Sequence, residues 1–190
     1  MDLQDKETRD PKKRCEVILA GSGGQGLIVS AMLLSEGAIR EGRNVVQTQS
    51  YGIAARGGAS IAELIIDTEE IVFQQVQKPD VILALTEQVM DRYAAFAEKG
   101  ALIFFDTSCM TGRPGGNFRG FPFTKLASDL GRANAATLIA LSAMVARTGM
   151  IRMDSLISVV SETFPEAAAA NIEVLRLGES LVAGIQGRPG

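Results

Sequence analysis

The chain has 190 residues, 46% hydrophobic and 22% charged, with two cysteines, Cys15 and Cys109, and no histidine or tryptophan. Such a length supports one domain with a full core, and two cysteines are too few for a disulfide framework or a four-thiolate iron–sulfur site. The missing histidine excludes Ser-His-Asp and Cys-His catalysis and imidazole-ligated metals, and a net charge of −3 argues against nucleic-acid binding.

Residues 1–14 carry five basic and four acidic side chains and almost nothing apolar, which predicts a solvated, disordered tail ahead of a single domain over 15–190. No apolar segment follows the charged N-terminus, so no export signal is expected, and the chain reads as cytoplasmic. Residues 16–20 (EVILA) form a buried-type strand that runs into the glycine cluster 21–26 (GSGGQG). The apolar stripe of 25–41, closed by Gly42, predicts a helix. A second strand follows at 44–48 (NVVQT), then the glycine-rich connection 50–58 (SYGIAARGG).

Residues 59–67 (ASIAELIID) read as a longer strand, antiparallel to the others, with a further short run at 71–73. Strands are expected at 81–85 and 101–105 around a short helix at 87–97, and residues 111–120 (TGRPGGNFRG) read as a turn-rich excursion. The remainder is helical, over 124–130, 134–148, 154–163 and 165–182, with Asp154 as an N-cap and Pro165 in a first turn. The longest apolar stretch, 133–146, is too short to span a membrane and contains Asn134, Thr137 and Ser142. The order predicts an α/β fold: a largely parallel sheet flanked by helices on both faces, with a helical C-terminal third.

Gly21-x-Gly23-x-x-Gly26 follows a strand and opens a helix, the setting in which such glycines present helix N–H groups to an anion. A dinucleotide site also wants an acidic residue after the second strand, yet no Asp or Glu lies between Glu41 and Glu63; the nearest basic residue, Arg43, precedes the strand. A P-loop fits less well still, because no Gly-Lys-Ser/Thr follows the glycines. The second glycine segment leaves the carboxyl end of its strand, on the same sheet edge, and Arg56 beside Gly57 and Gly58 offers a guanidinium fork and backbone N–H groups to an anion. Cys15 and Cys109 read as incidental thiols, and Asp67, Asp80 and Asp106 as turn or cap residues.

The segments GSGGQG (21–26), QTQSYGIAARGG (47–58) and ASIAELIID (59–67), with Pro79-Asp80 before VILAL and the Asn134 helix after Leu130-Gly131, resemble the gamma subunit of the 2-oxoacid:ferredoxin oxidoreductases. The wording is most similar to the 2-oxoglutarate branch, ahead of the branched-chain and pyruvate types, and the likeness runs from Cys15 to the last helix. It differs at Ile53-Ala54, where that family has Pro-Glu. The resemblance implies a Rossmann-like domain in a complex that converts a 2-oxoacid and coenzyme A to an acyl-CoA and passes electrons to ferredoxin. It implies alpha and beta partner subunits, with or without delta, which would hold thiamine diphosphate, magnesium and the iron–sulfur clusters. By the same resemblance Gly23, Gly24, Gln25, Arg56, Gly57 and Gly58 would lie near the phosphates of coenzyme A, and Gly21, Ser22, Gly26, Ser50, Tyr51 and Gly52 would complete the site. No catalytic residue and no metal ligand is expected from this chain, and no nucleic-acid or membrane partner.

Overall fold

A computed structural model describes residues 13–51, 58–111 and 115–184. Six strands form one sheet: β1 (Arg14–Ser22), β2 (Asn44–Tyr51), β3 (Ala59–Asp67), β4 (Val81–Ala84), β5 (Leu102–Asp106) and β6 (Phe118–Phe121), in the spatial order β2-β3-β1-β4-β5-β6. The helices are α1 (Leu27–Arg40), α2 (Glu87–Tyr93), α3 (Phe123–Asp129), α4 (Ala136–Thr148), α5 (Met153–Thr163) and α6 (Ala168–Val182). β4, β5 and β6 extend β1 in parallel, whereas β3 runs antiparallel between β1 and β2. The expected α/β architecture and the reversed strand at 59–67 are both present.

Alternation along the strands divides the core in two. Val17 and Leu19 of β1, Leu64 of β3, Leu83 of β4 and Phe104 of β5 face one side, where they pack with α1, α4, α5 and α6. Ile18, Ala20, Ile61, Ile82 and Ile103 face the other, against Val89, Met90 and Tyr93 of α2. A period of two with both faces apolar is the pattern of a sheet buried on both sides. α4 is nearly all buried because α6 lies directly on it: a β-carbon on Gly178 would stand 2.3 Å from the Ile139 carbonyl oxygen.

Several boundaries differ from expectation. Arg14, grouped by its charge with the preceding tail, opens β1 and ion-pairs with Glu16 at 2.9 Å and Asp67 at 3.3 Å; residues 1–12 lie outside the described residues. The run 71–73 is not a strand: Ile71 enters the core, but Val72 is 87% and Phe73 49% exposed, so no sheet face buries them. The excursion at 111–120 ends in β6, where Gly120 behaves as a packing residue. A β-carbon there would lie 2.5 Å from the ring of Phe105 on the neighbouring strand. Asp154 sits inside the first turn of α5 and Arg152 occupies the cap position; the acid still complements the helix dipole. Among the described residues no helix is long and apolar enough to cross a membrane.

Candidate functional site

β1, buried from Cys15 to Gly21, delivers the chain to the sheet edge between β3 and β4. There the Gln25 side-chain oxygen accepts the Ser22 backbone N–H at 2.7 Å, and the Gln25 N–H reaches back to the Ser22 carbonyl at 3.4 Å. Gly24 (φ 87°) and Gly26 (φ 77°) take left-handed conformations that other residues resist. Gly26 is the N-cap of α1; no side chain caps that terminus and no acid lies in its first turn.

The glycines divide into two roles. A β-carbon on Gly21 would meet the Gln25 side-chain oxygen at 2.2 Å and Leu85 Cβ at 3.0 Å, so this glycine makes room for the turn's own brace. β-Carbons on Gly23, Gly24 or Gly26 would meet nothing within 4 Å. Open space, an uncapped helix terminus and no carboxylate in the first turn leave backbone N–H groups that could bind an anion such as a phosphate. Gln25 is turned inward by its bond to Ser22, so its side-chain oxygen braces the loop.

From β1 the chain passes through α1 on one face to β2; from β4 it passes through α2 on the other face to β5. The carboxyl ends of β1 and β4 therefore stand where the connections switch faces, the position at which open α/β sheets bind ligands. At the end of β4 the Thr86 hydroxyl caps α2 by accepting the Val89 N–H at 3.3 Å, and a Glu87 oxygen accepts the Thr111 N–H at 2.8 Å. Thr137, from the first turn of α4, donates its hydroxyl to the Gln25 carbonyl. No local sequence pattern marks Thr86, Glu87 or Thr137 for this edge of the sheet.

The strand beside β1 is β3, and at this edge it begins, with Ala59 opposite Ser22 and Ser60 opposite Gly21. Small neutral residues therefore stand next to the loop, with no acid from that strand to hold ribose hydroxyls. Arg43 is 6% exposed and donates to the carbonyls of Met150 at 2.7 Å and Lys13 at 3.1 Å, as an internal clamp.

β2 ends at the same edge: Tyr51 pairs with Ser60, which in turn faces Gly21, so the end of β2 stands one intervening strand, about 10 Å, from the end of β1. Ser50 pairs with Ile61 and so faces the layer opposite α1, where it lines a cavity of about 370 Å³ with Thr48, Gln49, Glu63, Gln75 and Val76. It does not join the α1 side of the loop. Gly58 is half-buried just before β3, and Gly52, Arg56 and Gly57 lie outside the described residues.

At the end of β5, Asp106 is 1% exposed and accepts the Thr124 N–H and the Ser108 N–H at 2.9 and 2.8 Å, fixing the start of α3. The Cys109 thiol is exposed, and partial desolvation together with the Asp106 carboxylate raises it above its ordinary range. Asp106 thus serves as the turn and cap residue expected of it.

Residues 16–181 match the family described as pyruvate ferredoxin/flavodoxin oxidoreductase. The chain belongs to this family. It is 34% identical over 167 residues to the 2-oxoglutarate synthase subunit KorC of Archaeoglobus fulgidus, with 87% of each chain covered. The crystal structure of a keto/oxoacid ferredoxin oxidoreductase gamma subunit from Geobacter sulfurreducens matches with a TM-score of 0.77 at 34% identity, over 90% of this chain and 99% of that one. A 2-oxoglutarate:ferredoxin oxidoreductase from Magnetococcus marinus, with 2-oxoglutarate, coenzyme A and succinyl-CoA bound, shares the fold. Its TM-score is 0.82 at 20% identity, covering 93% of this chain and 32% of that one. Within the family, sequence and fold are of the gamma-subunit kind.

Proposed function

We propose that this chain is the non-catalytic gamma subunit of a cytoplasmic, thiamine diphosphate-dependent 2-oxoglutarate:ferredoxin oxidoreductase. The complex would convert 2-oxoglutarate and coenzyme A to succinyl-CoA and carbon dioxide, passing two electrons to ferredoxin. The chain's own part is to hold phosphates of coenzyme A and to support assembly with alpha and beta, and in some complexes delta, subunits. Thiamine diphosphate with magnesium, bound in those partners, supplies the carbon–carbon bond cleavage, and their iron–sulfur clusters carry the electrons.

The observation that carries this reading is the open cradle of Gly23, Gly24 and Gly26 before an uncapped α1 terminus. N–H groups at such a terminus bind phosphate oxygens without any charged side chain. The 2-oxoglutarate assignment rests on the KorC relative, and the coenzyme A assignment draws on the Magnetococcus protein of the same fold.

Purifying the tagged chain from its native cells tests the proposal. The reading expects a complex with coenzyme A-dependent 2-oxoglutarate oxidation, and no turnover by the chain alone. Preference for pyruvate or a branched-chain 2-oxoacid would move it to another branch of the family. Turnover by the pure chain, or tight NAD or NADP binding by calorimetry, would replace it with a free-standing reductase, a reading that Ala59 and Ser60 beside the loop disfavour.

A further inference from the structure

Helical hydroxyls commonly turn back on their own helix: Thr148 donates to the Met144 carbonyl, Ser161 to Ile157 and Thr163 to Val159, each four residues back at 2.7 to 2.8 Å, and Ser180 to Leu177 at 2.7 Å. That four-residue return is the usual outlet for a helical hydroxyl. Thr137 does otherwise. It is 3% exposed in the first turn of α4 and donates to the Gln25 carbonyl, 112 residues away in the chain. Its base is firm, because Ser142 further along α4 donates to the Leu175 carbonyl and Gly178 brings α6 against the Ile139 backbone.

The Gln25 carbonyl shares its peptide unit with the Gly26 N–H, and no peptide among the described residues is cis. In a trans peptide the two groups point in opposite directions. Holding the carbonyl against buried Thr137 therefore turns the Gly26 N–H away from α4, at an exposed residue whose β-carbon position is open. Glycine at 24 and 26 gives this stretch little conformational preference of its own, so an outside contact must select one orientation.

We infer that Thr137 is a positioning residue for the anion cradle: its hydroxyl fixes the Gln25–Gly26 peptide and so aims the Gly26 N–H at the bound phosphate. This rests on the reading that the loop holds coenzyme A. Thr137→Val keeps the side chain's shape and removes the donor, whereas Thr137→Ser keeps the donor.

The test is steady-state kinetics of the assembled enzyme, with Gly24→Val as a reference for the loop. Thr137→Val should raise the KM for coenzyme A about five-fold, the scale of one buried hydrogen bond, without changing kcat or the KM for the 2-oxoacid. Thr137→Ser should return it to within about two-fold of wild type. An unchanged coenzyme A KM in Thr137→Val, alongside a raised one in Gly24→Val, overturns the role of Thr137 and leaves the cradle standing. An unchanged KM in Gly24→Val overturns the cradle itself. Should Val at 137 prevent assembly, Thr137→Ala carries the same readout, and equal losses of kcat and 2-oxoacid KM in it would show a merely structural role.

Discussion

The Gln25 side-chain oxygen accepts the Ser22 backbone N–H at 2.7 Å, closing the glycine turn on itself. The turn thereby supplies its own brace. A glutamine beside glycines invites a ligand role in the sequence, whereas its inward turn explains why Gly21 carries no side chain.

Gly21→Ala should destabilise the chain by about 1–3 kcal/mol, the usual cost of overpacking. The new methyl would stand 2.2 Å from the Gln25 side-chain oxygen and 3.0 Å from Leu85 Cβ. Urea denaturation checks this, and an unchanged midpoint would show that the brace yields without cost.

Gly178→Ala meets a harder obstacle, a backbone carbonyl at 2.3 Å. Neither α4 nor α6 can step aside by rotating a side chain, so a loss of about 1–3 kcal/mol is expected in the same assay. Wild-type stability would mean that the two helices separate freely.

Much of the site was legible because it is local. A buried strand, four glycines in six residues and an amphipathic helix are adjacent in sequence, and their spacing alone forecasts a strand–turn–helix with an exposed helix terminus. β6 was hidden because Phe118–Phe121 is short and contains Gly120, which reads as a turn although it makes room for the Phe105 ring. The run at 71–73 misled for the opposite reason, since its apolar composition is spent on exposed Val72 and Phe73. Thr137 was invisible as part of a site because its partner is 112 residues away and no local pattern encodes that meeting.

Acid should weaken the fold partly through Asp67. Burial alone would raise its carboxyl, but the Glu69 N–H and the Arg14 guanidinium outweigh that and hold it below the usual carboxylate range. An unfolded Asp titrates near 3.9, so the unfolded chain takes up protons first; the stabilisation is present above about pH 4 and is lost as the pH falls through the lower folded value. Asp67→Asn should flatten the stability–pH curve below about pH 4. Equal slopes for variant and wild type would remove Asp67 from the acid response.

Asp106→Asn should lower the titration midpoint of the Cys109 thiol, since the carboxylate adds to the effect of burial. Partial desolvation remains, so some of the upward shift should persist. Maleimide reactivity against pH reads it directly, and a midpoint that does not move would separate the two residues electrostatically.

The central claim is that the glycine loop holds coenzyme A phosphate in a multi-subunit oxidoreductase. Gly24 has φ 87° and faces open space, so Gly24→Val both strains the turn and intrudes on the cradle. The deciding measurement is the KM for coenzyme A in the assembled enzyme carrying this variant, with its thiamine content measured beside it. The account predicts a rise of about ten-fold or more, the scale of one or two lost charge-assisted hydrogen bonds, with thiamine content unchanged. A coenzyme A KM equal to that of the wild-type complex would contradict it.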